Sequence, residues 1–226
     1  MLLAIDTATK MLGLALHAGD TLIAEKMWRT GNKHNMILAP TIEHMLTICD
    51  VDKSDLTMIA VANGPGSYAG LRIGVALAKG MAAVKNLPLI GVSTLDIIAA
   101  GQTFTNTRHQ LICVVQAGRK RIIAGVYQVK KGRWEAVETP EITTWADLLA
   151  SLEGSYYVAG EVDPAGREAI AMTEDNEELS VSLVEAARRA RRTGFLAQEA
   201  WRRYHAGEPS DFLPAKLTPV YLNSPG

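Results

Sequence analysis

Apolar residues run along this chain in short stretches separated by glycine, proline and charged turns, and in longer segments whose apolar positions recur at helical spacing. Leu2 to Ile5, Leu12 to His17 and Thr21 to Met27 read as strands, the last two joined by the hairpin turn Ala18-Gly19-Asp20. A loop over Thr30 to Asn35 leads into a helix from Met36 to Cys49. Its Leu38, Ile42, Met45, Leu46 and Cys49 share one face, and Pro40 is tolerated in the first turn. Met58 to Ala62 reads as a buried strand, Asn63 to Gly70 as a glycine turn and Leu71 to Val84 as a helix. Leu87 to Val92 is a further strand, and Ser93-Thr94 caps a helix from Leu95 to about Gly101.

The same grammar then restarts. Leu111 to Ala117, Ile122 to Val129 and Trp134 to Glu138 read as strands, separated by the turns Gly118-Arg119-Lys120 and Lys130-Lys131-Gly132. Thr144 caps a helix from Trp145 to Leu152, and Tyr156 to Ala159 is a strand ending at Gly160. Three strands, a helix and a strand therefore occur twice, an α/β duplication with halves 1–101 and 102–194 and a boundary at residues 102–106. Helices are expected over Leu183 to Arg192 and Phe195 to Tyr204, the second with Leu196, Ala200 and Trp201 on an apolar face and a stop at Gly207. The segment 195–226 is expected to pack back on the first half.

Strand, glycine turn and helix over residues 58–84 aim backbone amides and a helix N-terminus at one point, where an anion is favoured. The turn lacks the Gly-Lys-Ser/Thr ending of a P-loop. Gly64-Pro65-Gly66-Ser67-Tyr68-Ala69 fits the loose dinucleotide form G-x-G-x-x-A, but the next strand ends in Ser93-Thr94 with no carboxylate nearby. The alternative is that the glycines permit close helix–strand packing and positive φ. Ser67 lies outside any G-x-S-x-G elbow and reads as the cap at the helix entry.

Gly64-Pro65-Gly66-Ser67-Tyr68-Ala69-Gly70-Leu71-Arg72-Ile73-Gly74 resembles the G-P-G-S-F/Y-T/A-G-L-R-I-G signature of the bacterial TsaB (YeaZ) family, members of the actin/hexokinase/Hsp70-like superfold once filed with glycoproteases. The tail Leu217-Thr218-Pro219-Val220-Tyr221-Leu222 is similar to that family's P-x-Y-L-R ending, with Asn223 in place of the arginine. The resemblance spans the whole chain and is strongest over residues 1–96. It implies a duplicated actin-like fold and a non-catalytic role as partner of the larger paralogue TsaD, the transferase that makes N6-threonylcarbamoyladenosine in tRNA. TsaE supplies ATPase activity in that system, and tRNA is met as the substrate of the complex. An active glycoprotease or an actin-like ATPase is the alternative that the superfold offers.

The resemblance also places Asp6-Thr7-Ala8-Thr9 where actin-like ATPases carry their first phosphate loop. Ala8 stands in place of a glycine there, and adds a β-carbon where a phosphate needs close backbone approach. The matching turn of the second half, Gln116-Ala117-Gly118, lacks the carboxylate that would position a metal or a water. Asp6, Thr9, Gly64 and Gly66 therefore read as relic phosphate loops that hold no cofactor, with residual ATP or ADP binding as the point to test. Asp6 alone reads as an Asx-turn acceptor. The histidine pair with which TsaD binds iron has no counterpart, since His34 and His44 are ten residues apart; no metal is expected.

Composition narrows the rest. With 48% hydrophobic and 21% charged residues the chain can bury a core, and its net charge of −1 gives no general attraction to nucleic acid or an anionic membrane. Cys49 and Cys113 are the only cysteines, each inside an apolar run, and read as core. Without a basic leader or a membrane span, the expected compartment is cytoplasmic. Arginines at Arg119-Lys120-Arg121 and at Arg188, Arg189, Arg191, Arg192, Arg202 and Arg203 read as a turn and a solvated helix face, or else as an RNA-facing strip.

The segment Leu71 to Val84 is apolar nearly all round, so a helix there must be covered on two sides. Leu71, Val75, Ala78 and Ala82 suit one side. Ile73, Ala76, Leu77, Gly80 and Val84 suit the other, where glycine and alanine admit a close partner helix. Ile37, Thr41 and Ile48 of the preceding helix extend that side. These eight residues form the expected interface with TsaD, or with a second copy when the chain is alone.

Overall fold

The computed structural model describes residues 1–30, 34–103, 106, 108–174 and 177–222, so parts of the loop at 30–35 and of the boundary at 102–106 lie outside the described residues. In chain order the elements are β1 (Leu2–Asp6), β2 (Met11–Ala18), β3 (Thr21–Arg29), α1 (His34–Ile48), β4 (Met58–Gly64), α2 (Tyr68–Lys85), β5 (Leu89–Ser93) and α3 (Thr94–Ala100). Then follow β6 (Gln110–Gly118), β7 (Arg121–Lys130), β8 (Arg133–Ala136), β9 (Glu141–Thr143), α4 (Trp145–Ala150), β10 (Gly154–Gly160), α5 (Pro164–Ala171), β11 (Leu179–Leu183), α6 (Ala186–Arg189) and α7 (Thr193–Ala206). Two compact units result, Met1–Ile97 with Arg192–Tyr221, and a second built on Ile98–Arg191. The division falls inside α3, between Ile97 and Ile98.

The first unit is a sheet of order β3-β2-β1-β4-β5, antiparallel from β1 through β3 and parallel from β1 through β5. Every residue of β1 is buried, because alternate side chains serve two cores. Leu3 and Ile5 join Leu14, Ile59 and Val61 under α1 and α2, whereas Leu2 and Ala4 join Met58, Ala60 and the α7 residues Leu196, Ala197 and Ala200. The second unit repeats the arrangement. Its sheet runs β11-β10-β6-β7-β8 with the same alternation of parallel and antiparallel pairs, and β9 pairs with β7 off that path. Read from its third strand, each sheet has the order third, second, first, fourth, fifth. That equivalence makes the fold a duplicated α/β arrangement, as expected.

One expected element is corrected. Leu183 to Arg192 is not a helix: Leu183 ends β11, and helix survives only over Ala186–Arg189. Leu179–Leu183 finds its backbone partners by parallel pairing to β10, a long-range gain that outweighs local helix preference. The second half therefore has six strands where four were expected, the added ones being β9, paired with β7, and β11, preceded by α5, which Asp163 caps and Pro164 starts. Among the described residues no helix is long and apolar enough to cross a membrane.

The helix α7 is held to the first unit by a charged cluster. Glu199 is buried and accepts from Arg202 and Arg203, and Arg203 reaches Asp96 at 2.7 Å. Burial opposes ionisation of Glu199, but the hydrogen bonds from Arg202 and Arg203 overcome it and hold its pKa at about 2 against an ordinary 4.5. A carboxyl whose pKa is depressed in the fold stabilises it above the open-chain value and loses that contribution as pH falls. The gap from 4.5 to about 2 corresponds to roughly 3 kcal/mol. Urea unfolding followed by circular dichroism should show this loss as pH is lowered through that window, and Glu199→Gln should flatten that slope while lowering stability at neutral pH.

Candidate functional site

The glycine turn and α2 form the candidate site, and the turn is occupied by the chain itself. Ser67 is the N-cap of α2, its Oγ accepting from Gly70 N at 3.3 Å. Ser67 N donates to Ala8 O at 2.7 Å, and Thr7 Oγ1 donates to Gly70 O at 2.7 Å in a buried contact. A β-carbon at Gly66 would overlap the Ala8 carbonyl, one at Gly70 the Thr7 carbonyl, and one at Gly74 the Thr7 hydroxyl. These glycines thus let the turn and α2 close directly onto the loop between β1 and β2. The glycines permit this close packing, and Ser67 N and Gly70 N both donate within the chain.

The other candidate phosphate-loop positions are bonded within the chain as well. Asp6 is buried and its Oδ1 accepts from Ala8 N at 3.0 Å, the Asx turn expected of it. Thr9 Oγ1 accepts from Met11 N at 3.3 Å. Gly64 has φ of +115°, and a β-carbon there would overlap the carbonyl of Val220. The tail is seated on the end of β4, with Val220 N donating to Asn63 O at 2.7 Å. In the second unit, Gln116 N donates to Glu161 Oε2 at 3.2 Å and Gln116 Nε2 to the Glu161 carbonyl at 2.8 Å. Glu161 in turn lies 3.5 Å from the buried Arg191. Among the described residues no group of three or more His, Cys, Asp and Glu is placed to hold a metal ion.

The far side of α2 is open. Leu71, Gly74, Val75, Ala78 and Ala82 are buried on the sheet, whereas Ala76 and Gly80 are exposed and Val84 is 83% exposed. Neighbouring α1 presents Met36 and Ile48, 70% and 69% exposed, although both are large apolar side chains. Of the eight expected interface residues, Ile48, Ala76, Gly80 and Val84 are exposed. Ile37, Thr41, Ile73 and Leu77 are half-buried, and Ile37, Ile73 and Leu77 pack partly against the core under α1 and α2. A β-carbon on Gly80 would meet nothing within 4 Å. The result is a shallow apolar face with a smooth centre, suited to close approach of another helix.

Four of the nine basic residues of the expected strip are paired within the fold: Arg192 with Glu25, Arg191 with Glu161, and Arg202 and Arg203 with Glu199. Arg119, Lys120 and Arg188 are exposed. Sequence reasoning missed the seating of the tail, for which β-branched Val220 after Pro219 was a faint signal, and the pairing of Tyr221 with Tyr68.

Comparison with known proteins follows the same lines. Residues 29–187 match the family model for TsaD, tRNA N6-adenosine threonylcarbamoyltransferase. The chain is 39% identical over 155 residues to the tRNA threonylcarbamoyladenosine biosynthesis protein TsaB of Bacillus subtilis, covering 67% of this chain and 66% of that one. It is 32% identical over 165 residues to the Escherichia coli protein of the same name, covering 70% of each. The matched stretch thus spans about two thirds of these relatives' own length. The solved structure of YeaZ from Pseudomonas aeruginosa superposes with a TM-score of 0.73 at 23% identity, over 98% of this chain and 99% of that one.

Proposed function

Because the chain belongs to the TsaB (YeaZ) family, we propose that it is a non-catalytic partner of a TsaD transferase in forming N6-threonylcarbamoyladenosine in tRNA. The observation that carries the reading is the contrast within the first unit: the ancestral phosphate turn is filled by Ala8, Thr7 and Val220, while the outer side of α2 is left apolar and bare. A phosphate could enter the turn only by breaking the bonds from Ser67 N to Ala8 O and from Thr7 Oγ1 to Gly70 O. A helix of TsaD, in contrast, could cover Ala76, Gly80 and Val84 without rearrangement. TsaE supplies ATP hydrolysis in this reading and acts on the chain through the complex. In the absence of TsaD, a second copy covers the same face in a two-fold pair.

The test is a reconstituted mixture of TsaD, TsaE, tRNA, ATP and a threonylcarbamoyl donor. Modified tRNA should form only when this chain is added, and Asp6→Ala should support it almost fully. The pure chain should release no phosphate from Mg-ATP and should cleave no protein. A ligand present at a hundredfold excess over its Kd stabilises a fold by about 2.7 kcal/mol; ATP should produce no thermal shift of that order. Steady phosphate release by the pure chain, abolished by Asp6→Ala, would instead make it an actin-like ATPase.

A further inference from the structure

At the C-terminal ends of β1, β3 and β4, four segments are tied edge to edge by backbone hydrogen bonds. Ser67 N donates to Ala8 O at 2.7 Å, Thr30 N to Lys10 O at 3.0 Å and Val220 N to Asn63 O at 2.7 Å. The stretches 7–10, 29–30, 63–72 and 217–222 contain no aspartate or glutamate, yet they carry Lys10, Arg29 and Arg72. All three cations are exposed, in a chain whose net charge is −1. Lys10 and Arg29 make no ion pair among the described residues.

On the same rim Tyr68 and Tyr221 are 59% and 40% exposed. Their ring centroids lie 4.9 Å apart with planes inclined by 36°. The Arg72 guanidinium sits 5.1 Å from the centre of the Tyr68 ring, and its Nη1 donates to the Tyr68 hydroxyl. Two exposed aromatic plates, a guanidinium that stiffens one of them, further cations and no exposed carboxylate in these stretches, Asp6 at the end of β1 being buried, form a combination with one well-matched ligand. An unpaired nucleobase stacks on aromatic faces in any sequence, and its flanking phosphates are drawn to lysine and arginine. Further along α2 the outer side presents the small Ala76 and Gly80 and the apolar Val84, with Lys79 and Lys85 beside them, and suits a helix instead.

Resting on the reading that the chain works beside tRNA, we infer that this rim is an RNA contact. Tyr68 and Tyr221 take an unpaired base near the modified nucleotide, Arg72 holds the plate, and Lys10 and Arg29 meet the neighbouring phosphates. The contact is distinct from the TsaD-docking face further along α2.

The experiment is fluorescence anisotropy of a labelled anticodon stem–loop RNA, titrated with the full chain alone and with its complex with TsaD. Tyr68→Ala and Tyr221→Ala should each weaken binding about tenfold, and the Phe variants should stay within about twofold, since a phenyl ring stacks as a phenol does. Joint replacement of Lys10 and Arg29 by alanine should flatten the dependence of log affinity on log salt by about 1.4, the value for two single-strand phosphates. Circular dichroism and the mass of the TsaD complex check that each variant is folded and paired.

RNA affinity unchanged by the tyrosine variants overturns the inference, as does a fully paired duplex that binds as tightly as the loop. Loss of TsaD pairing at unchanged RNA affinity makes the rim a protein contact, and competition by ATP at the same tyrosines makes it a nucleotide pocket; either result overturns it. If the parent chain fails to support modification in the reconstituted mixture yet binds the loop through these residues, the proposed function falls and this inference stands.

Discussion

Gly80→Arg and Val84→Glu should each leave the chain folded and abolish its pairing with TsaD, and tRNA modification should fall at least a hundredfold. Both positions are exposed, and a side chain on Gly80 meets nothing within 4 Å of its β-carbon. Exchanging glycine for arginine inside a helix favours the helix by roughly 1 kcal/mol, so Gly80→Arg should raise the stability of the isolated chain slightly. In the complex the same guanidinium lies between two close helices. A buried charge without a partner costs about 3–5 kcal/mol, or roughly two to three and a half orders of magnitude in affinity. Leu77→Glu is a poorer probe, because Leu77 packs partly into the core under α1 and α2 and its loss would perturb the fold as well. Circular dichroism, light scattering and threonylcarbamoylation of tRNA report fold, pairing and activity separately. The same variants should also lose self-association. Folded variants that still pair with TsaD would move the interface off α2.

Gly74→Val should lower stability by about 3 kcal/mol or more, with no change in nucleotide behaviour. The first added carbon would already overlap the hydroxyl of Thr7, which is fully buried at the end of the central strand. Overpacking of a filled site costs about 1–3 kcal/mol, and displacing Thr7 also strands its buried hydrogen bond to Gly70 O, worth about 1 kcal/mol. For a chain of this size, melting should fall by roughly 2–4 °C per kcal/mol. The milder Gly74→Ala should be partly rescued by Thr7→Ala, which removes the overlapping oxygen; the double-mutant cycle isolates the coupling. Equal damage in the presence and absence of Thr7 would mean that this contact is not why glycine stands there.

These expectations show which parts of the molecule could be read from the chain. The glycine segment, the Ser67 cap and the two-sided apolar character of α2 rest on local spacing, and each is where it was expected. Apart from the three-residue β9, the repeat was legible through β10, since its other strands are short apolar runs bounded by turns. The strand Leu179–Leu183 was missed although Leu-Ser-Val-Ser-Leu alternates at strand period, because Leu183 was assigned to the helix that the following arginines suggested. The Asp163-Pro164 start of α5 was in plain view as a cap and went unused. The start of α7 could not have been read locally. Arg192 makes no side-chain cap, and Glu25 of β3 accepts from Gly194 N at 2.8 Å across a separation of 169 residues. The tail was legible as a motif but not as a lid on Gly64, because a seat on a strand end leaves no periodic mark.

The central claim is that the outer side of α2 docks a helix of TsaD. Its most direct test is the mass of the species formed when the chain is mixed with its cognate TsaD, measured by light scattering for the parent chain and for Gly80→Arg. The account predicts a stable mixed complex for the parent and two separate species for the variant, with both chains folded. A parent chain that stays apart from TsaD, or a Gly80→Arg chain that joins it as firmly as the parent does, would contradict it.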